Sequence, residues 1–162
     1  MTVAARVAGL SLLLALACSS GAIAAAPQYA DGAEIFAANC AVCHGSGGAG
    51  QPALAPPLLA NPARYATVAE GRRQLALTVL FGMFGDITID QKHYSFKMPE
   101  FSQLDDQKLA AVLNFVAFDL AHAAQEVKPI GADEIAAERG KGLDGAGVRE
   151  HRAAVLEALG SG

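Results

Sequence analysis

Apolar and polar positions alternate along the chain in three distinct rhythms. From Asp31, Ile35 and Phe36 fall on one side of a helical repeat that runs into two cysteines, and Gly45 stands where such a helix would stop. Between Gly45 and Pro62 the pattern dissolves into Gly and Pro, which predicts an irregular loop, and loops of that length inside a compact domain usually serve a function. Thr67 to Phe84 returns to a helical spacing through Val68, Leu75, Leu77, Val79, Leu80 and Phe81, interrupted by a polar Gly71-Arg72-Arg73 and ended by Gly82 and Gly85. Ile87-Thr88-Ile89 and Tyr94-Ser95-Phe96 then alternate about Asp90-Gln91-Lys92-His93, a pattern for a small β-hairpin that must pack on something to persist. The longest amphipathic stripe is Leu109, Val112, Leu113, Val116 and Leu120, a core helix from Asp106 to about Ala121 with Asp105 as its N-cap.

Beyond Glu126 the pattern breaks at Lys128-Pro129-Ile130-Gly131, and two short helices are expected over 133–139 and 148–159. Some three dozen residues rarely hold a core alone, so 127–162 is read as a helical C-terminal extension of one domain spanning 26–126. The other end has a different character. Arg6, the apolar run Val7 to Ala17 and the small residues Ala22 to Ala26 form a signal-peptide pattern over 1–25, with cleavage expected after Ala24 or Ala25. The run is too short for the roughly 18 residues that span a bilayer, and no later segment qualifies, so no transmembrane segment is expected in the mature chain. Cys18 resembles a lipoprotein acceptor, but Ala15 occupies the position where leucine is usual; a lipid anchor there is the secondary reading.

Export changes the meaning of the cysteines. Once Cys18 is removed, Cys40 and Cys43 remain in an oxidising compartment, where a disulfide would be the default. They lie in Cys40-Ala41-Val42-Cys43-His44. Two thiols three residues apart on a helical turn point the same way and can form thioethers to the vinyl groups of one porphyrin, with His44 then placed beneath its iron. A zinc ribbon lacks its second cysteine pair, a thioredoxin-like dithiol lacks its strand and βαβ context, and a plain disulfide leaves His44 and the long loop without a role. The expected cofactor is one covalently bound haem c and its iron. For the opposite face of the iron, Met98 in Lys97-Met98-Pro99 is preferred to Met83, which reads as core filler, and to His93, His122 and His151, which read as surface residues.

Charge removes other functions. Between residues 27 and 126, Lys92, Lys97, Lys108, Arg64, Arg72 and Arg73 stand against ten Asp and Glu, a net charge of −4. There is no basic stripe, so nucleic-acid binding is not expected, and no nucleophile–base pair argues for hydrolysis.

Together the residues Gly32-x-x-x-Phe36-x-x-x-Cys40-x-x-Cys43-His44, Pro56-x-Leu58, Tyr94-x-x-x-Met98-Pro99, Leu104-Asp105-Asp106 and Ala111 to Phe115 resemble the class I c-type cytochromes over about Asp31 to Ala124. The resemblance is closest to the small monohaem periplasmic proteins that serve bacterial dehydrogenases or oxidases. It implies an all-α cytochrome c fold, about four helices around one haem, here with the hairpin and the C-terminal extension added. It also implies that Gly32 and Phe36 pack against the Val112 to Phe115 region, that the Pro56 carbonyl accepts a hydrogen bond from His44 Nδ1, and that Tyr94 and Phe96 lie near the haem edge, though both equally suit core packing. Gln91 departs from a glycine common in relatives.

His44 and Met98 as axial ligands would fill both positions on the iron, which suits electron transfer to a periplasmic dehydrogenase, oxidase or other cytochrome. Apolar contact through Leu54, Pro56, Pro57 and Leu58 is the expected mode of docking. A haem-c ligand sensor or small peroxidase is the alternative, and it requires Met98 not to bind the iron.

Overall fold

A computed structural model describes residues 26–160; the expected signal peptide and Cys18 fall outside them. Seven α-helices, one π-helical segment and one two-stranded hairpin account for the regular structure of the described residues.

Helix α1 (Ala30–Asn39) begins against a carboxylate: Asp119 accepts from Gln28 N at 2.7 Å and Tyr29 N at 3.0 Å, placing negative charge at the positive end of the helix. Its inner face then meets α5 (Asp106–Asn114) at very close range, because Gly32 has no side chain. A Cβ at Gly32 would sit 2.2 Å from the Ala111 carbonyl oxygen and 2.8 Å from Phe115 Cβ. Phe36 and Phe115 stack one turn along with ring centroids 5.4 Å apart, and Val112 and Val116 complete this cluster. A second cluster uses the other side of the same helix. Leu109, Leu113 and Ala117, four residues apart, face α4 (Ala69–Phe81) through Leu75, Ala76, Val79 and Leu80. Val112 to Ala117 are therefore all buried, the sequence of a helix packed on two sides rather than one.

The structure departs from the expected continuous helix here. After Asn114 the backbone widens into a π-helix, Phe115–Leu120, with Ala121 N donating to Val116 O. The segment contains Asp119, the carboxylate that starts α1. The helix expected over 67–84 appears as α4, and a further helix that was not expected stands ahead of it, where the loop was expected to end. A separate α3 (Asn61–Ala66), with Pro62 in its first turn, precedes α4, and Gly71 lets α4 approach the Tyr65 backbone so closely that a Cβ would lie 2.3 Å from the Tyr65 carbonyl oxygen.

The hairpin pairs β1 (Ile87–Ile89) with β2 (Lys92–Tyr94), in the register Ile87↔Tyr94, Thr88↔His93 and Ile89↔Lys92. The second strand is thus two residues earlier than the alternation suggested. Asp90 and Gln91 adopt φ +50° and +63° and close a two-residue turn, the left-handed geometry that glycine adopts at least cost. Ser95 and Phe96 peel away and lead to an antiparallel bridge: Met98 N donates to Met83 O at 2.8 Å, and Met83 N to Met98 O at 3.1 Å. The hairpin is an excursion whose two ends are tied together.

Residues 127–160 add α6 (Ala132–Arg139) and α7 (Gly145–Ala158) against α4 and α5, burying Ile130, Ile135 and Val155 in the larger cluster. Polar clasps fix them. Asn114 exchanges two buried hydrogen bonds with the Ile130 backbone at 2.7 and 3.0 Å. Arg72 forks onto Glu134 at 2.6 and 2.7 Å while also donating to the Lys128 and Pro129 carbonyls, and its hydrogen bonds hold the Glu134 carboxyl below its ordinary pKa. The polar interruption at 71–73 is therefore the attachment point of the C-terminal helices.

Replacing Gly32 by Ala should destabilise the holoprotein by about 3 kcal/mol, because the added methyl meets backbone that cannot rotate away. Gly140→Ala, where a Cβ meets nothing within 4 Å, should stay within about 0.5 kcal/mol. Denaturant midpoints of the two variants measure the difference.

Candidate functional site

Helix α1 ends at Cys40, whose N–H still bonds to Phe36 O, and a single turn, α2 (Ala41–His44), follows at once. Gly45, at φ +76°, stops that turn. The anchoring of α1 on α5 thus fixes the direction in which Cys40, Cys43 and His44 are delivered. Both cysteines are free thiols and partly buried. Burial pushes the Cys40 thiol up to about 11, with Cys43 adding to the rise, so at neutral pH it is un-ionised and a weak nucleophile. Among the described residues, no group of three His, Cys, Asp or Glu side chains converges to hold a metal ion, which speaks against a zinc site built from these residues.

His44 is buried, and its Nδ1 lies 2.9 Å from the Pro56 carbonyl oxygen. A carbonyl can only accept, so Nδ1 must carry the proton. Desolvation lowers the ring's pKa, with the Pro56 bond opposing more weakly, so the neutral form is favoured. A neutral ring protonated at Nδ1 has its lone pair at Nε2, the arrangement a metal ligand requires.

The loop that supplies Pro56 is less irregular than its composition suggests. Gly50 N donates to His44 O at 2.8 Å, Leu58 N to Gly48 O at 2.8 Å, and Gln51 and Ala55 form a backbone bridge. Gly50 has φ +75°, and a Cβ there would lie 2.7 Å from Pro56 C and Pro57 N. Only glycine lets the two passes of the loop come this close.

His44, Cys40 and Cys43 line one side of a deep apolar cleft. Pro56, Tyr94 and Met98 line it as well, so every sequence-predicted site residue reaches the same space. Tyr94 is buried at 5% exposure, and Phe96, at 59%, stands at the surface. Leu54, Pro57 and Leu58 also line the cleft, partly buried rather than displayed. The large apolar side chains most open to solvent on its wall are Val42 and Phe96.

Several cleft residues were not singled out from sequence. Met83 belongs to neither buried cluster and lines the cleft beside its bridge partner Met98, so the core-filler reading is corrected. Tyr65, Gln74 and Thr78 contribute polar atoms from α3 and α4, and Arg152 reaches the cleft from α7. His151 is not a simple surface residue either: its Nδ1 is 2.7 Å from Gln74 Oε1 and its Nε2 3.3 Å from Glu70 Oε2, between α4 and α7. His93 is exposed beside Asp86 and His122 is exposed, both as expected.

An all-helical body with a Cys-x-x-Cys-His turn, a buried histidine oriented by a prolyl carbonyl and a methionine-lined wall opening on one apolar cleft has the architecture of a class I c-type cytochrome. The chain belongs to the cytochrome c family, whose pattern it matches over residues 29–117. It is 39% identical over 116 residues to cytochrome c-552 of Thermus thermophilus, an alignment covering 70% of this chain and 88% of that one. The cytochrome c-552 of a second Thermus thermophilus strain aligns with the same identity over 78% of its length. The cytochrome c subunit of the alcohol dehydrogenase (quinone) of Gluconobacter oxydans is 36% identical over 86 residues, 52% of this chain and 17% of that protein. The protein is thus a haem- and iron-binding electron carrier, with haem c held covalently, and not an enzyme.

The cleft suits that group on its own evidence: its walls are overwhelmingly apolar, and the one imidazole on them among the described residues is neutral with Nε2 unprotonated. Substituting Ala for Gly50 should push the Pro56 strand away from His44. The His44 Nδ1 proton, followed by nitrogen–proton NMR, should then lose its protection from exchange, whereas Gly47→Ala, at an open position, should leave it protected.

Proposed function

We propose that the haem is joined through thioethers at Cys40 and Cys43, that His44 and Met98 are its axial ligands, and that the protein is a periplasmic single-electron carrier. Support for Met98 comes from its backbone bridge to Met83, which holds the 98 position at the cleft without help from the side chain. Gly82 makes that bridge possible, since a Cβ there would lie 2.4 Å from Met98 O. Bound iron supplies the one-electron couple, and thioether ligation favours the reduced state relative to a second histidine. The chain's own residues keep the site rigid and dry. Tight backbone ties on both sides of the cleft oppose rearrangement between oxidation states, and the apolar walls exclude water.

Residues 26–126 are read as the haem-carrying body and 127–162 as a helical cover. The signal-peptide pattern over 1–25 supports export, and no helix among the described residues is long and apolar enough to cross a membrane. Val42 and Phe96, exposed on the cleft wall, form with Leu54, Pro56, Pro57 and Leu58 an apolar face for brief docking. The Gluconobacter relative, itself a dehydrogenase's cytochrome subunit, supports a periplasmic dehydrogenase as partner; an oxidase or another cytochrome would use the same face.

The Met98→Ala holoprotein should lose the weak red absorption band of ferric iron bound to methionine sulfur and should bind carbon monoxide when reduced. Met83→Ala should keep the band and exclude carbon monoxide. Carbon monoxide binding by the reduced wild-type protein would instead favour a ligand sensor or peroxidase.

A further inference from the structure

Apart from Met1 the chain carries two methionines, Met83 and Met98, and the structure sets them directly opposite each other. Met83 N donates to Met98 O at 3.1 Å and Met98 N to Met83 O at 2.8 Å. They form the hydrogen-bonded kind of antiparallel pair, in which facing residues send their side chains to the same side, with Cβ atoms about 5.5 Å apart. That side is the cleft, which both side chains line. The next rung is held by side chains, with Lys97 Nζ 5.8 Å from the Phe84 ring centroid. Two half-buried thioethers therefore stand side by side on one wall.

Their surroundings differ. Met98 packs on the larger core cluster, whereas Met83 belongs to neither cluster. The backbone places Met83 from both sides. Gly82, at φ +69°, lets the end of α4 close on the Met98 carbonyl, and Phe84 N donates to Gly145 O at 3.2 Å, tying the following residue to the first turn of α7. The same bridge pins the backbone of Met98, and Pro99 stiffens the chain after it. A methionine side chain still turns about three bonds, so a pinned backbone does not fix its sulfur. The core restrains Met98 on one flank, and the neighbour across the bridge is Met83.

A long apolar side chain with no core to fill, set by backbone ties beside a flexible thioether, fits the role of a buttress. We propose that Met83 is a positioning residue for Met98: its side chain closes the flank of Met98 that the core leaves open, holds the sulfur in one orientation and delays its departure from ferric iron. This rests on the reading of Met98 as an axial ligand. Met83 itself does not ligate. Its bulk performs the task, so leucine, which conserves volume, should serve at position 83 and alanine should not.

The test uses full-length ferric holoprotein carrying Met83→Ala, Met83→Leu or Ile135→Ala, the last opening a cavity in the fully buried core away from the cleft. Cyanide reaches the iron only after the Met98 sulfur leaves, so its binding rate at saturating concentration reads that departure. In Met83→Ala the rate should rise severalfold, with the methionine band intact before cyanide is added. Met83→Leu and Ile135→Ala should keep the wild-type rate. The NMR shifts of the haem methyl groups follow the orientation of the bound sulfur, and they should change in Met83→Ala alone. A wild-type rate and shift pattern in Met83→Ala would overturn the proposal. A matching rise in Met83→Leu would overturn it too, by showing that bulk is not what matters, as would one in Ile135→Ala, by showing that general loosening is enough. A wild-type protein without the methionine band would instead sink the ligand reading, and the proposal with it.

Discussion

The hydrogen bond from His44 Nδ1 to the Pro56 carbonyl is the contact around which the rest of the structure is arranged. It joins a one-turn helix to the far side of a glycine-rich loop, and it decides which imidazole nitrogen keeps its lone pair. Each segment is held from behind by a glycine. Gly32 lets α1 lie on the Ala111 backbone and so sets the angle at which α2 leaves it; Gly50 lets the loop fold back against Pro56 and Pro57. A third glycine performs the same task across the cleft, where Gly82 admits the Met98 carbonyl. The site is thus built by backbone proximity, which is stiffer than side-chain packing and suits a centre that must change charge without changing shape.

That mode of construction explains what the sequence disclosed. Cys40, Cys43 and His44 were legible because their chemistry is local: three residues on one turn state their own purpose. Met98 was singled out by elimination, since few residues can serve an iron and most histidines had polar neighbours, and it does line the cleft. Pro56 and Tyr94 could be named only through family resemblance, because nothing in a proline's own surroundings in sequence says which carbonyl a histidine will find twelve residues away. The helical core was readable from apolar spacing, and Asp105 does cap α5, accepting from Lys108 N at 2.8 Å.

The misplacements share a cause. Where the backbone leaves a standard repeat, apolar periodicity does not register it. The separate α3 ahead of α4, the two-residue turn at Asp90-Gln91 and the π-helix after Asn114 each stand beside tertiary partners: the Tyr65 backbone against Gly71, the Met83–Met98 bridge, and the approach of α1 to Asp119. A signal for α3 was present in Asn61-Pro62, since proline favours the first turn of a helix. The Gly71-Arg72-Arg73 interruption, which looked like a flaw in a helix, is a polar socket for residues 128–134.

Those C-terminal helices show why an extension can matter to a site it follows in sequence. A core of this size can close around an apolar ligand with the elements of residues 29–117 alone, but an apolar wall offers nothing to a ligand's charged edge. Acidic surface residues repel an anion, and the long cations on α4 are already engaged, Arg72 with Glu134 and Arg73 with Glu138. A helix that arrives late in the chain, pinned by His151 on Gln74, can bring a cation to the cleft without disturbing those pairs. The clasps that hold α6 and α7 to the body thereby fix where that cation stands on the cleft wall, besides burying Ile135 and Val155.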